Sequence, residues 1–530
     1  MVNKELKKED NNTKSINKMK NYIIFLLAAL GLLACKTEEK QQEVAEWPHA
    51  VTYEIFVQSF NDSNGDGIGD INGMTEKLDY LAELGVKGVW LMPIMPSPSY
   101  HKYDVTDYRD IHPDYGTLDD FKNFVNKAHE KGIHVVIDLV INHSSSLHPW
   151  FMESKKGADN PYRDYYVWKT EEEIESLDPV EKGPDSDNPI HWHENEGDDY
   201  RYYGYFIGGM PDLNFHNPKV KEEIYDIGRF WLQEVGVDGF RLDAARHIFD
   251  ENAEDNHEFW IEFRAEMEKA KPDVYLVGEV WSDVKSVAPY LNGIPALFNF
   301  DMGMKILEAV NTQEEAGLPE FHHYIRNYYD SVNTDFIDAT FITNHDQNRG
   351  LSEFDGEINK GKLAASILMT LPGSPYLYYG EEIGMLGQKP DEQIREPYLW
   401  ASVEQDSGRP KWETPVYSTD ETVIPLAGQQ DNPASLYNHY KQLINYRNIS
   451  APLTYGDIAP TGMKVEGLTC WYRVHENDTL LVMHNLTGKQ LQVKNDELGQ
   501  FEKEFTINGA IELQDQSISL DPYTSTVLKQ

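Results

Sequence analysis

The chain contains the stretch Val237-Asp238-Gly239-Phe240-Arg241-Leu242-Asp243-Ala244-Ala245-Arg246-His247, which starts as a short apolar run and ends in charged residues. This pattern is typical of a buried barrel strand that carries polar side chains to a wet rim. Arg241 and Asp243 are two positions apart, so on a strand their side chains point the same way. A carboxylate beside a guanidinium stays ionised and oriented, as a nucleophile requires. Taken alone, such a pair is more often a structural ion pair at a strand end than a catalytic one.

Three further apolar runs end in polar residues. They are residues 135–143, ending in Asn142-His143, residues 274–281, containing Gly278-Glu279, and residues 341–346, ending in Asn344-His345-Asp346. In this order the four runs resemble the four signature regions of the α-amylase family of glycoside hydrolases, glycoside hydrolase family 13. The motif Met210-Pro211-Asp212-Leu213-Asn214 resembles the fifth region of that family. The resemblance covers residues 47 to 447, and five motifs in order are far more specific than any one.

The chain also shows an alternation of strand-like and helix-like segments. Such a rhythm predicts an α/β fold, a parallel sheet with covering helices whose site lies at the carboxyl ends of the strands. The family resemblance makes this a (β/α)8 TIM barrel with a domain B inserted after strand 3. After Pro452, short alternating strands predict a C-terminal antiparallel β domain. The expected boundaries are residues 47–143 and 216–449 for the barrel, 144–215 for domain B and 450–530 for a β-sandwich domain C.

Composition limits the partners that the protein can have. At 530 residues the chain is long enough for two or three domains. The formal net charge is −42, from 89 acidic and 47 basic residues, which argues against nucleic-acid binding. A neutral sugar polymer is compatible with this charge but not implied by it. Only two cysteines are present, so a disulfide framework is excluded.

The N-terminal region has the features of an export signal. Residues 1–34 combine Lys-rich polar sequence with an apolar run, Tyr22 to Leu33, that is shorter than the about 20 residues needed to span a membrane. Leu32-Leu33-Ala34-Cys35 resembles the lipobox of bacterial lipoproteins, so we expect lipidation of Cys35. A plain signal peptide with a chance cysteine is the alternative.

Residues 35–46 are charged and read as a flexible tether. Acidic residues just after the cysteine resemble a surface-export signal. The expectation is therefore a lipoprotein with a lipid anchor in the outer membrane. Exposure at the cell surface, beside glycan-binding or uptake proteins, is a hypothesis that the acidic residues suggest. The sequence leaves open which face of the outer membrane holds the anchor.

A loop after the first predicted strand has the composition of a hard-cation site. In Asp62-Ser63-Asn64-Gly65-Asp66-Gly67-Ile68-Gly69-Asp70, oxygen-bearing side chains recur at every second residue and glycines allow the turn. The loop resembles the start of an EF-hand, although Gly73 stands at the twelfth position instead of Glu. By similarity to α-amylase relatives, we expect Ca²⁺ held by Asp62, Asn64, Asp66, the Ile68 carbonyl and Asp70. The alternative is an Asp/Gly-rich turn capped by its own side chains.

Three acidic residues at strand ends are the catalytic candidates. Glycoside cleavage needs a nucleophile or base and an acid on either side of the bond. We expect Asp243 to be the nucleophile and Glu279 the acid/base, which requires a raised pKa. The resemblance implies that Asp346 stabilises the transition state and that the reaction retains anomeric configuration. The carboxyl groups of Asp243 and Glu279 should then lie about 5–5.5 Å apart.

The resemblance also implies a set of substrate-binding residues around the sugar in subsite −1. They are Tyr103, Asp104, His143, Arg241, His345 and Arg395. Asp138 is interpreted as structural. Asn142 is a candidate ligand of a second calcium ion between domains A and B, although its partners are not readable from the sequence.

Two departures bear on specificity. Typical α-amylases carry Lys before the His of the second region, where this chain has Arg246. Arg keeps the charge but not the geometry, so binding on the leaving-group side is in doubt. The fifth motif resembles that of a subfamily intermediate between oligo-1,6-glucosidases and neopullulanases, which includes lipoprotein amylases of starch-utilisation systems.

Three functions follow from these residues. The first is a retaining α-amylase that cleaves internal α-1,4 bonds of starch and malto-oligosaccharides. The second is an exo-acting α-glucosidase, a neopullulanase or a transglycosylase. The third, a non-catalytic glycan-binding protein, is disfavoured because all three acidic residues are present. The sequence does not decide between endo and exo action. It also leaves open the tolerance of α-1,6 branches, the chain-length preference and the oligomeric state.

Overall fold

The computed structural model describes residues 43–177, 190–249 and 252–530. The predicted signal peptide, the lipidation site Cys35 and most of the tether lie outside the described residues. Residues 44–530 form one compact unit. Within the described ranges, no helix combines the length and apolar character needed to cross a bilayer.

Eight short parallel strands form the centre of this unit. We number them β1 to β8 in chain order: Thr52–Ile55, Gly88–Leu91, His134–Leu139, Gly239–Leu242, Tyr275–Gly278, Ala296–Phe298, Ile337–Ala339 and Tyr376–Tyr378. Each pairs with the next from β1 to β7, and β8 pairs with β1. Two backbone hydrogen bonds, from Ser374 N to Asp338 O (2.8 Å) and from Tyr376 N to Thr340 O (2.7 Å), connect β7 to β8. The predicted TIM barrel is thus confirmed, with nearly complete closure.

Side chains of β4 alternate between the barrel interior and the helices. Phe240 and Leu242 belong to the large core between barrel and helices, whereas Arg241 lies over the ring of Trp90 inside the barrel. Gly239 starts the strand because a Cβ there would lie 1.9 Å from the carbonyl oxygen of Tyr275. This close approach sets the register of β4 against β5, and with it the height of the residues that follow both strands.

Helices cover the outside of the barrel. The longer ones are Ile71–Glu76, Leu78–Leu84, Leu118–Glu130, Pro218–Arg229 with its π-helical extension Phe230–Val235, Ala253–Ala270, Phe300–Thr312, Leu318–Asp330, Ile358–Thr370 and Leu436–Asn448. Their starts are encoded locally. Thr117 and Asp120 form a capping box, and Asn217 caps a helix that has Pro218 in its first turn.

An insertion between β3 and β4 carries its own small antiparallel sheet. Its strands are Trp168–Thr170, Trp192–Glu194 and Tyr200–Tyr203. The main-chain bridge between His143 and Asp212 joins the start of the insertion to its end. Both ends of the insertion therefore meet beside β3, at the rim where the candidate site lies.

Two antiparallel sheets form the C-terminal domain, as predicted. The five-stranded sheet contains Asp457–Pro460, Leu468–His475, Asp478–Asn485, Glu502–Ile507 and Ser525–Lys529, and the three-stranded sheet contains Leu491–Lys494, Ile511–Gln514 and Ser517–Leu520. Buried Arg473 donates to the Thr370 carbonyl over 2.6 Å, which ties the domain to a barrel helix. The exact domain boundaries stay predictions.

Candidate active site

A cavity of about 750 Å³ opens at the carboxyl ends of the barrel strands. Asp243 directly follows β4, and Glu279 directly follows β5. The lining residues are His101, Tyr103, His143, Tyr205, Phe206, Ile207, Met210, Asp243, Ala244, Arg246, His247, Glu279, Trp281, Asp346, Asp391 and Arg395. The three predicted catalytic acids and three of the predicted substrate-binding residues thus share one cavity.

Arg241 connects the acidic residues at the cavity floor. Its side chain is 1% exposed, and Nη1 donates to Asp243 Oδ1 over 2.6 Å. The same nitrogen lies 3.0 Å from both carboxylate oxygens of Asp138, and Nη2 donates to Glu279 Oε2 over 2.7 Å. One buried guanidinium therefore orients the carboxyl groups of both catalytic candidates, and Asp138 in turn holds that guanidinium.

The backbone after Asp243 also turns toward Glu279. Ala244 has a φ of 46°, a left-handed conformation that costs a non-glycine residue energy. In this conformation its N–H donates to Glu279 Oε2 over 3.2 Å. Ala245 N donates to the carbonyl of Glu279 over 3.1 Å, so the ends of β4 and β5 are held together at the site.

Asp346 is held by two cations on the other side of the cavity. Arg395 Nη2 donates to Oδ1 over 3.0 Å, and His345 Nε2 lies 3.1 Å from Oδ2. Arg395 Nε also donates to the carbonyl of His345 over 3.0 Å. Asp346 keeps 32% of its side chain exposed, so it faces the cavity while its orientation is fixed from behind.

The three acids differ in their electrostatic environment. Burial raises the pKa of Asp243 and of Glu279, and the Arg241 guanidinium opposes this in both cases. Burial would also raise the pKa of Asp346, but His345, Arg395 and Arg241 hold it well below its ordinary value. Carboxyl groups with pKa values displaced in opposite directions can divide the roles of proton donor and permanent anion.

Comparison with known proteins agrees with this chemistry. Residues 54–456 match the family described as "Alpha amylase, catalytic domain", and residues 468–527 match "Alpha-amylase SusG C-terminal domain". The chain belongs to the α-amylase family of glycoside hydrolases.

Individual relatives of this α-amylase family member carry different names. "Alpha-amylase 3" of Dictyoglomus thermophilum is 44% identical over 91% of the chain and 93% of its own length. A "4-alpha-glucanotransferase" of Thermotoga neapolitana is 36% identical over 83% of the chain and 96% of its own length. The crystal structure of an α-amylase from H. orenii has a TM-score of 0.80 and 41% identity, covering 91% of this chain and 99% of that one.

The predicted sugar-binding residues of this glycoside hydrolase lie at different depths, some lining the cavity and others beneath its surface. Tyr103 and His143 line the cavity, and His143 Nε2 lies 3.2 Å from the carbonyl oxygen of Tyr103. Burial lowers the pKa of His143 to about 4, so the ring is neutral at physiological pH. His345, like Arg241, lies beneath the cavity surface. The Asp104 carboxylate instead accepts hydrogen bonds from Ser97 Oγ (2.6 Å) and from Ser99.

Several cavity residues were not among the sequence candidates. Trp281 is 45% exposed and stacks on Phe300, with ring centroids 4.4 Å apart and an interplanar angle of 10°. Arg246 donates to the Trp281 carbonyl over 3.1 Å. For Trp281 the available signal was its position two residues after Glu279, whereas Arg246, three residues after Asp243, was already expected on the leaving-group side.

The aromatic run of the insertion divides between two roles. Phe206 lies 5.2 Å from the His143 ring and lines the cavity, whereas Tyr202 donates to the Gly208 carbonyl within the small domain. Part of the run thus lines the cavity and part forms the core of the small domain.

The loop of residues 62–70 has an all-oxygen donor set, which suits Ca²⁺. Asp62 accepts from Gly65 N (2.6 Å) and Gly67 N (2.8 Å), and Asp66 accepts from Ile68 N (2.8 Å). Asp70 accepts from Ser63 N (2.8 Å) and also caps the helix Ile71–Glu76. Among the described residues, no group of three or more His, Cys, Asp or Glu side chains is placed to hold a metal ion. Calcium therefore stays a prediction.

Asn142 lies where the inserted domain meets the barrel. Its Nδ2 donates to Asp212 Oδ2 over 3.1 Å. Its buried Oδ1 has no hydrogen-bond partner among the described residues. The Asn142 Oδ1 atom, close to the Asp212 carboxylate, could therefore serve as a cation ligand. The second calcium site also stays a prediction.

Proposed function

We propose that this glycoside hydrolase is an α-amylase that cleaves internal α-1,4 bonds of starch and malto-oligosaccharides with retention of configuration. The observation that carries the proposal is the bond network of Arg241, which holds Asp243 at 2.6 Å and Glu279 at 2.7 Å at the floor of one open cavity. The extensive similarity to a protein named "Alpha-amylase 3" supports the substrate class.

In the proposed reaction, Asp243 attacks the anomeric carbon while Glu279 gives its proton to the departing glycosidic oxygen. The carbon–oxygen bond of the substrate breaks as the bond to Asp243 forms. Glu279 then takes a proton from water, whose oxygen displaces Asp243 and restores the original configuration. Each carboxyl group thus returns to its starting protonation state.

The surrounding residues orient the sugar during these steps. Asp346, kept anionic by Arg395 and His345, stabilises the positive charge that develops on the ring. Tyr103 and His143 would contact the sugar of subsite −1 because both line the cavity beside these acids. Asp104 would support the Tyr103 loop through its serine contacts.

An exo-acting or glucosyl-transferring enzyme is the second candidate. It is favoured by the relative named 4-alpha-glucanotransferase and by the exposed face of Trp281 beside the proposed acid/base. A sugar stacked there would compete with water for the covalent intermediate. Product analysis separates the candidates.

The deciding experiment compares products from amylose and pullulan for the wild type and Asp243→Asn. Asp330→Asn, an exposed substitution at the end of a helix, is the control. Mixed malto-oligosaccharides from amylose, absent only with Asp243→Asn, support the α-amylase. Glucose alone, or panose from pullulan, supports the second candidate. No products from the folded wild type with calcium supplied would contradict both.

We further propose that residues 62–70 bind a structural Ca²⁺ through Asp62, Asn64, Asp66, the Ile68 carbonyl and Asp70. The oxygen-only donor set supports this. Bound there, the ion would stabilise the first βα loop of the barrel rather than take part in the reaction. Equilibrium dialysis with the wild type and Asp62→Ala tests it.

We also propose that the protein is a lipoprotein of the outer membrane, anchored through Cys35 at the cell surface near glycan-binding or uptake proteins. The support is the sequence Leu32-Leu33-Ala34-Cys35 and the acidic tether. Incorporation of labelled palmitate that is lost in Cys35→Ser would support the anchor. Protection of the protein from protease on intact cells would contradict surface exposure.

A further inference from the structure

Glu54 of β1 lies beneath the active site and contacts His345. The Glu54 side chain is 2% exposed and the His345 side chain 0% exposed. Glu54 Oε1 and His345 Nδ1 are 2.5 Å apart. A hydrogen bond this short, between a carboxylate and a ring nitrogen that are both removed from water, is charge-assisted when the ring is protonated.

The second ring nitrogen of His345 faces two oxygen atoms at the cavity. Nε2 lies 2.6 Å from Tyr103 Oη and 3.1 Å from Asp346 Oδ2. Tyr103 Oη donates its own proton to Asp138 Oδ2 over 3.2 Å. Asp346 is held anionic and its Oδ2 can only accept, so Nε2 donates toward Asp346 and Tyr103 Oη is a second acceptor. Nδ1 faces the Glu54 carboxylate in the same way, so both ring nitrogens point at acceptors, which is the pattern that an imidazolium satisfies.

Charged and titratable groups face His345 from several of the barrel elements that pack against it. The carboxylates are Glu54 from β1, Asp138 from β3, Asp243 from the end of β4 and the adjacent Asp346, and the titratable but neutral Tyr103 comes from the loop after β2. Arg395 binds the His345 carbonyl, and Arg241 Nη1 lies 3.5 Å from Tyr103 Oη. Burial would lower the pKa of His345, but Asp346 and Glu54 together raise it to about 9.

We propose that Glu54 is a positioning residue that acts through His345, holding the ring as an imidazolium whose Nε2–H is directed at Tyr103 and Asp346. The positive charge keeps Asp346 anionic on the sugar side, and the short bond fixes the ring orientation. Sequence analysis identified His345 but not Glu54. The inference rests on the proposed function only for its effect on turnover, because the protonation state can be measured without substrate.

The test uses Glu54→Gln, which keeps the shape and the acceptor oxygen but removes the charge. A matched control is Asp338→Asn, which alters a second buried carboxylate–histidine pair on a barrel strand, 2.7 Å from His322 and outside the cavity. The ring of His345 is followed by ¹⁵N NMR of histidine-labelled protein, assigned with His345→Gln. Thermal unfolding of each variant reports its folding.

In the wild type we expect the His345 ring to be doubly protonated at pH 7 and to lose its proton near pH 9. In Glu54→Gln we expect deprotonation at a lower pH, and a loss of about tenfold in kcat with a smaller change in KM, as for partners that orient functional rings. Asp338→Asn should leave the His345 titration and the pH profile of kcat unchanged.

A neutral His345 ring in the wild type at pH 7 would overturn the proposal without any variant. An unchanged His345 titration in folded Glu54→Gln would overturn it as well. A wild type that hydrolyses no glucan would contradict the proposed function instead. The titration of the His345 ring could still be measured by NMR in that protein. The two failures are therefore distinguishable.

Discussion

The Arg241 guanidinium donates to Glu279 Oε2 over 2.7 Å, so the proposed proton donor is bound by a permanent cation. A neighbouring cation favours the ionised form of a carboxyl group. Burial acts in the opposite direction and prevails, which raises the pKa of Glu279. Arg241 thereby fixes the position of the proposed acid/base, while burial keeps the pKa of Glu279 above its ordinary value. The role of Arg241 thus extends beyond orienting the nucleophile.

Arg241→Lys tests the geometry of this contact rather than its charge. A lysine ammonium cannot reproduce the planar fork that contacts Asp138, Asp243 and Glu279 together. By analogy with the loss of one preorganised donor, we expect kcat to fall about 100-fold. Steady-state kinetics on a chromogenic malto-oligosaccharide provide the measurement. Arg264→Lys, in the partly exposed pair with Glu268, should change neither kcat nor KM, and full activity of Arg241→Lys would contradict the prediction.

The pH dependence follows from the signs of the two shifts. Asp243 must be ionised to attack, so activity is lost as pH falls through its raised pKa. Glu279 must be protonated to donate, so activity is lost as pH rises through its pKa, which lies above the ordinary 4.5. We expect a bell-shaped profile of kcat/KM displaced to higher pH than two ordinary carboxyl groups would give.

Glu279→Gln identifies the residue behind the alkaline limb. With maltosyl fluoride, whose leaving group needs no proton, glycosylation should persist and the alkaline limb should disappear. Glu381→Gln is the control, because burial raises the pKa of Glu381 to about 8 although its side chain does not line the cavity. Persistence of the alkaline limb in Glu279→Gln would assign that limb to another group.

Sequence patterns predicted contacts within one strand better than contacts between strands. The period of two along β4 placed Arg241 and Asp243 on one side, and the structure agrees. The bonds from Arg241 to Glu279 and from Glu54 to His345 join residues 38 and 291 positions apart. The first depends on the pairing of β4 with β5, and the second on the closure of the barrel, which brings β1 close to the end of β7. No local pattern marks Glu54, since a buried acid in an apolar strand has its partner on a distant loop.

Trp281→Ala tests whether the exposed ring binds the leaving-group side of the glucan. The stack on Phe300 holds the ring in place, so its free face is preorganised for a sugar. Aromatic contacts contribute about 0.5–1.5 kcal/mol beyond area burial, so we expect KM to rise about 2- to 12-fold. The ratio of transfer to hydrolysis products should fall as well. Tyr324→Ala removes an equally exposed aromatic side chain (46%) outside the cavity and should leave both unchanged.

Residues 62–70, the proposed calcium site, are connected to the candidate active site through residues 408–412. Asp62 N donates to the Gly408 carbonyl over 2.8 Å, and Lys411 N donates to the Gly67 carbonyl over 2.6 Å. The next residue, Trp412, stacks on Tyr100 and donates to Ser59 Oγ over 2.8 Å. Ser59 in turn donates to the Arg395 carbonyl, directly behind Asp346.

Removal of calcium should therefore reduce both stability and turnover. An ion present at 100 times its Kd stabilises the fold by about 2.7 kcal/mol, so a chelator should lower Tm by the corresponding amount. We also expect kcat to fall, because Arg395 loses part of its support. Both effects should be absent in Asp62→Ala, which cannot bind the ion, and retained in Asp431→Ala, which alters an exposed loop residue. If the chelator left Tm and kcat of the wild type unchanged, residues 62–70 would be a turn stabilised by its own side chains.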